Sequence, residues 1–280
     1  MVTRSGAALR MVVPVLLTTA LATAADPVAL GATPLCQVRN ITQETTGGSL
    51  IRMVDRAADG DRLRVSGTCR GEVVVDVDIE VTGDGDGATL TGRLRHRALK
   101  VRKRATVTLR DLVVTRGRHK MGGGIDNHGV LTLTDSIVRD STARYGGGIA
   151  NFGTLTVTQS VVRRNKAGIG GGGISGGGTL TLAFSVVRAN AAAYGGGIRN
   201  TRDTLWLTDS VVRGNTARRS GGGIWNKRSL ILDSSTVMKN TAGRRGGGIL
   251  NKVIHGSVTL EGASFVRANV PDDCFGTPAC

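Results

Sequence analysis

Large aromatic residues are nearly missing from this chain: Phe, Tyr and Trp together make up 3% of 280 residues. An interior built on big rings is therefore excluded, and the core must come from Val, Leu, Ile and Ala. Proline is scarce, at 5 residues, while glycine reaches 42 without recurring at every third position, which excludes collagen. Acidic residues are also short, with 21 Asp+Glu against 37 Lys+Arg and a formal charge of +16. Apolar residues at 40% are too many for a disordered basic tail. Beyond the N-terminus no apolar run reaches the ~18 residues of a membrane span. There is no CxxC and no nearby His pair, and His96, His119, His128 and His255 show no zinc-ligand spacing.

The N-terminus carries Arg4 and Arg10, then a mostly apolar run from Met11 to Ala22, then the small-x-small site Ala22-Thr23-Ala24. That pattern is expected of a secretory signal peptide over 1–24. Its removal would leave a charge of 16 − 2 = +14. No lipid-attachment motif precedes Cys36, so a soluble, extracellular, monomeric product is expected. Cys36, Cys69, Cys274 and Cys280 are even in number and lie near the two ends. In an oxidising compartment they read as terminal disulfides. Three pairings exist; Cys36–Cys69 with Cys274–Cys280 is expected, because chain ends far apart cannot be bridged.

Self-similarity dominates the rest. Gly-Gly-Gly-Ile occurs six times, with Ile at 125, 149, 174, 198, 224 and 249. Asn follows two residues later at 127, 151, 200, 226 and 251, and only Gly176 departs. Each unit then shows an alternating run such as Leu131-Thr-Leu133 or Leu205-Trp-Leu207, a turn Ser, and five residues later Ser141, Asn165, Asn190, Asn215, Asn240 or Asn269. Period-two alternation means half-buried strands, and a unit that cannot bury its own face must stack on copies. The expected fold is all-β: a single-stranded right-handed parallel β-helix of three short strands per ~25-residue rung. Stacked leucines form an inner ladder. Asn sits at corners, where it bonds its copies and tolerates left-handed backbone, and the triple glycine permits a bend. Ser49 is expected to cap a short helix over Ser49–Ala58 that covers the open first rung. The expected layout is an N-terminal segment over 25–47, the β-helix over 48–270 and a disulfide cap over 271–280.

GGGIxN followed by S-x-V-x-x-N resembles the GGAI and FxxN repeats of polymorphic outer membrane proteins, and more widely the pectate-lyase-like β-helix superfamily. The likeness covers about residues 48 to 270. It implies the fold strongly and the activity weakly, because that superfamily includes lyases, glycosidases and adhesins. The trio of calcium-binding Asp with an Arg or Lys base, expected of a pectate lyase, is not evident.

Outward columns of such a helix form stripes. Arg139, Arg163, Arg188 and Arg213 each stand three residues after a turn Ser. Stacked cations repel, and a bound polyanion relieves that repulsion through forked contacts. The reading that follows is a non-catalytic binder of anionic polysaccharide or cell-wall polymer, with non-specific nucleic acid as a further partner and no cofactor. Trp206, in an otherwise Thr-rich outward column, is a candidate sugar-stacking residue, as are Trp225, Tyr145 and Tyr194. The alternative is a lyase or glycosidase acting on acidic glycans. It would use Asp111 and Asp135, one rung apart in one column, with Ca²⁺ as its cofactor. A purely structural or adhesive surface protein is the third reading.

Overall fold

The computed structural model describes residues 35–85, 87–252, 256–278 and 280. The expected signal peptide and His255 lie outside the described residues.

The described chain is almost entirely β, coiled so that each strand pairs in parallel with its copy one turn later. The sheet that carries the leucines has eleven strands. Nine of them are parallel, from Asp61–Ser66 to Ser257–Glu261, which amounts to eight full turns. A nine-stranded sheet carries the arginines, from Thr68–Arg70 to Phe265–Arg267. A second nine-stranded sheet carries the Ile-x-Asn segments, from Val73–Val75 to Cys274–Phe275.

Three strands per rung was one too few for the middle turns. A fourth, six-stranded sheet runs from Arg118–Met121 to Thr241–Ala242. Five of its strands point a single small residue inward, in the column Ala143, Ala167, Ala192, Ala217 and Ala242, while the first strand has exposed His119 at that position. One alanine per rung gives almost no hydrophobic alternation, so the segment passes for a turn in the sequence.

Inside, the columns align in register. Leu131, Leu155, Leu180, Leu205 and Leu230 stack directly and are fully buried. Ile125 to Ile249 and Val138 to Val237 form two more ladders. Each such side chain contributes about 2 kcal/mol by leaving water.

The corners are held by polar ladders. Asn165, Asn190 and Asn215 each donate through Nδ2 to the Oδ1 of the next Asn, at 3.0–3.1 Å. The same Oδ1 atoms, on Asn190, Asn215 and Asn240, also accept the backbone N–H of Asn165, Asn190 and Asn215. Ser136, Ser160, Ser185 and Ser210 repeat the second pattern at another corner. Buried polar groups cost little when bonded in this way.

The left-handed conformation does not fall on the asparagines. It falls on the residue before them, at Arg164, Ala189, Gly214 and Lys239, on Asp140 before the equivalent Ser141, and on the residue before each turn Ser, at Asp135, Gln159, Phe184 and Asp209. The Asn must point inward to bond its copies, so its neighbour turns the chain. In the glycine triples only the first residue has positive φ, as at Gly146 and Gly171. The second and third are glycine for another reason: a Cβ on Gly172 would lie 2.6 Å from the Ala191 backbone N and O atoms.

The first rung is covered by more than the helix. Leu50–Val54 is a five-residue α-helix whose Ser49 side chain accepts from the Arg52 N–H, and Leu50, Met53 and Val54 are buried. Gln37–Asn40 and Thr45–Gly47 form an antiparallel hairpin that lies along Asp61–Ser66 and satisfies that strand's outer edge. The Cys36–Cys69 disulfide fastens this cover to the first rung, and Cys274–Cys280 closes the other end.

These roles separate two kinds of glycine. Gly214 sits at φ +60° with nothing within 4 Å of an added Cβ, so Gly214→Ala is expected to cost about 1 kcal/mol. Gly172→Ala forces backbone apart and is expected to cost at least about 3 kcal/mol. Urea unfolding of both variants checks this; equal losses would contradict the packing role of the triple.

Candidate functional site

The arginine stripe is in register. Arg139, Arg163, Arg188 and Arg213 pair consecutively, Thr115 precedes them, Met238 follows, and Arg267 resumes the column. In each of the four strands a buried Val sits just before the Arg, so strand alternation turns the guanidinium outward. Neighbouring charges a rung apart repel by ~0.8 kcal/mol even in water's dielectric.

Arg163, an inner member, shows the consequence. The residue is half-buried, and its Nε is covered and has no acceptor. Desolvation, then the charges of Arg164, Arg188 and Arg139, lowers its pKa, with Asp140 opposing. Asp140 is the counter-charge at this corner. Its carboxylate accepts from Arg139 Nη1 at 2.6 Å and from Arg164 Nε and Nη2 at 2.9 and 3.2 Å. Burial opposes its ionisation, but the bonds from Arg139 and Arg164 outweigh burial and hold its pKa below the ordinary carboxylate value.

The other candidates are placed elsewhere. Trp206 is exposed on the leucine-bearing sheet, between Thr181 and Ile231 in register, so it does not share a face with the arginines. Asp111 and Asp135 occupy a left-handed corner column, where Asp is among the few tolerated residue types. Asp135 forms an ion pair with Arg110 at 3.5 Å, both side chains being about 40% exposed. That pairing accounts for Asp135 without a chemical role.

A second surface escaped the stripe-by-stripe reading. The middle residue of each Ile-x-Asn strand points outward, which sets Ala150, Ser175, Arg199, Trp225 and Leu250 in one column. The Arg199 guanidinium lies 5.5 Å from the Tyr145 ring and 5.0 Å from the Trp225 ring. Together with Phe152 these residues line a cavity of about 440 Å³. A neighbouring cavity of about 350 Å³ lies against Tyr194, Trp225 and Phe275. Tyr145, Tyr194 and Trp225 were legible one by one as stacking candidates. Arg199 was not, because the variable x of GGGIxN acquires meaning only through rung register.

At the N-terminal end of the same sheet, buried Arg97 forms ion pairs with Asp126 and with Glu72, the latter at 3.1 Å, while His128 Nε2 lies 3.2 Å from Asp126. Among the described residues no group of three or more His, Cys, Asp and Glu side chains is placed to hold a metal ion. No described helix is long and apolar enough to cross a membrane. No family model, curated protein or solved structure matches the chain, so the resemblance to pectate-lyase-like and polymorphic outer membrane proteins rests on the repeat motifs alone.

Asp140 has a pH signature. A depressed carboxylate pKa contributes stability above the unfolded value of ~3.9 that is lost as pH falls through the folded value. Asp140→Asn is therefore expected to destabilise by up to about 1 kcal/mol at pH 7, with the deficit shrinking below about pH 4. Thermal unfolding across pH tests the sign. A deficit that persists unchanged at low pH would contradict it.

Proposed function

We propose that this protein is a secreted, non-catalytic β-helix that binds an acidic polysaccharide or cell-envelope polymer along its arginine stripe. The observation that carries the reading is the in-register column Arg139, Arg163, Arg188 and Arg213, in which Arg163 has a covered Nε and no acceptor. A column of like charges is a cost in isolation. It becomes an asset when a polymer lays an anion against each rung, because forked guanidinium contacts then replace repulsion with charge-assisted hydrogen bonds. The formal charge of +16, or +14 once the expected signal peptide is removed, attracts such a polymer from a distance. The two disulfides suit an oxidising, extracellular setting. Rungs without long insertions leave little loop material for an enclosed active site, which favours binding over turnover.

Binding of polygalacturonate is expected at low salt and should weaken steeply as salt rises. Reversing two charges in Arg163→Glu/Arg188→Glu should lower affinity at least about ten-fold and flatten the salt dependence. Titration calorimetry at two salt concentrations measures both. If polyuronate, teichoic acid and DNA all fail to bind at low salt, the reading is wrong.

A further inference from the structure

Among the six Gly-Gly-Gly-Ile units only the third lacks its Asn, reading Ile174-Ser-Gly176-Gly-Gly178. Elsewhere in that column Asn127 donates to Asn151 at 2.7 Å, Asn200 to Asn226 at 2.9 Å and Asn226 to Asn251 at 2.8 Å. Gly176 interrupts this ladder and forfeits its bonds. The fold does not require the loss. A Cβ on Gly176 or Gly177 would meet nothing closer than 3.6 Å, an ordinary contact, and neither residue has positive φ. Gly178 differs, because a Cβ there would collide with the Gly153 carbonyl. Of these two glycines that packing does not demand, Gly177 lines the 440 Å³ cavity beside Arg199, and the missing side chain there leaves a hollow in its wall.

The walls have a definite chemistry. Phe152 stands at the rim, 42% exposed, its other face stacked on His128 at 4.8 Å. The Arg199 side chain is held by the Tyr145 and Trp225 rings rather than by a carboxylate, and makes no hydrogen bond or ion pair among the described residues, so its guanidinium donors are uncommitted. Gly170 makes room for its stem. Arg202, Lys227 and Arg228 add positive charge, and no carboxylate lines the cavity. At the floor are the Ser175 hydroxyl and Thr201, whose Oγ1 donates to the Gly176 carbonyl at 2.7 Å and keeps its lone pairs.

We propose that this hollow is a subsite for one acidic sugar unit, separate from the arginine stripe. It takes the carboxylate on Arg199, the apolar ring face on Phe152 and Tyr145, and ring hydroxyls on Ser175 and Thr201. The ligand class rests on the reading above, and the site does not. A cavity of this size admits a single ring, within the range of small-ligand sites. Hydroxyl groups at the floor match a polyhydroxylated ring better than a nucleobase, and a ring face packed on an aromatic contributes through apolar area.

The full chain with Trp206→Phe retains Trp225 as its one tryptophan, so Trp225 emission reports on the hollow. Titration with tetragalacturonate is expected to change that emission saturably. Adding Gly177→Val, which fills the hollow, or Arg199→Ala should weaken binding about ten-fold, with Gly177→Val leaving the unfolding midpoint in place. Arg163→Glu/Arg188→Glu should leave the Trp225 response to this short ligand within about two-fold. The subsite is overturned, and the stripe reading kept, if tetragalacturonate binding depends on Arg163 and Arg188 but not on Gly177 or Arg199. Failure of every acidic glycan to bind overturns both. An oligo-dT probe that binds tighter than tetragalacturonate and shifts Trp225 emission overturns the acidic-sugar assignment.

Discussion

Backbone hydrogen bonding between successive rungs, ~4.8 Å apart, is the constraint on which everything else depends. Once each N–H must find the carbonyl one turn away, any residue is stacked on its own copies and a column must be self-compatible. Aliphatic side chains satisfy that condition by packing, as in the Leu131 to Leu230 ladder. Amides satisfy it by donating and accepting at once, as in Asn165, Asn190 and Asn215. Glycine satisfies it where two backbones run too close for a Cβ, as in the second and third glycines of each triple.

Charged columns cannot satisfy it alone. Arg139, Arg163, Arg188 and Arg213 are brought together by register and stay mutually repulsive, with Asp140 relieving one corner. A different solution operates around Arg199, where the cation is seated between two rings. A guanidinium in the first setting suits a repeating polymer, and one in the second suits a single ring with one anionic group. Both surfaces follow from the same winding, read at different outward positions.

Much of the fold was legible because repetition amplifies weak signals. Six copies of GGGI set the period, and the alternation around Leu131 or Leu155 identified the inward residues. The cysteine pairing followed from the separation of the chain ends. The fourth sheet stayed hidden because a lone inward Ala carries little hydrophobic contrast. The Gln37–Asn40 hairpin stayed hidden because it occurs once and borrows nothing from the repeat. The left-handed corners were assigned to Asn by residue preference, whereas the structure gives them to Asp140, Arg164 and Ala189, which share no side-chain chemistry. Geometry imposes that conformation on whatever precedes the inward Asn or Ser. The arginine column was visible in the sequence, and the hollow beside Gly177 was not, because it depends on neighbours from several different rungs.

The stacking itself is open to direct measurement. All four native cysteines are in disulfides, so nitroxide labels can be placed on cysteines introduced at positions 139 and 267. These positions lie five rungs apart in one column, which corresponds to about 24 Å along the axis. Pulsed electron paramagnetic resonance should give a single narrow distance near that value, broadened only by the label arms. A wide distribution, or a principal distance beyond about 35 Å, would contradict the coiled, in-register arrangement.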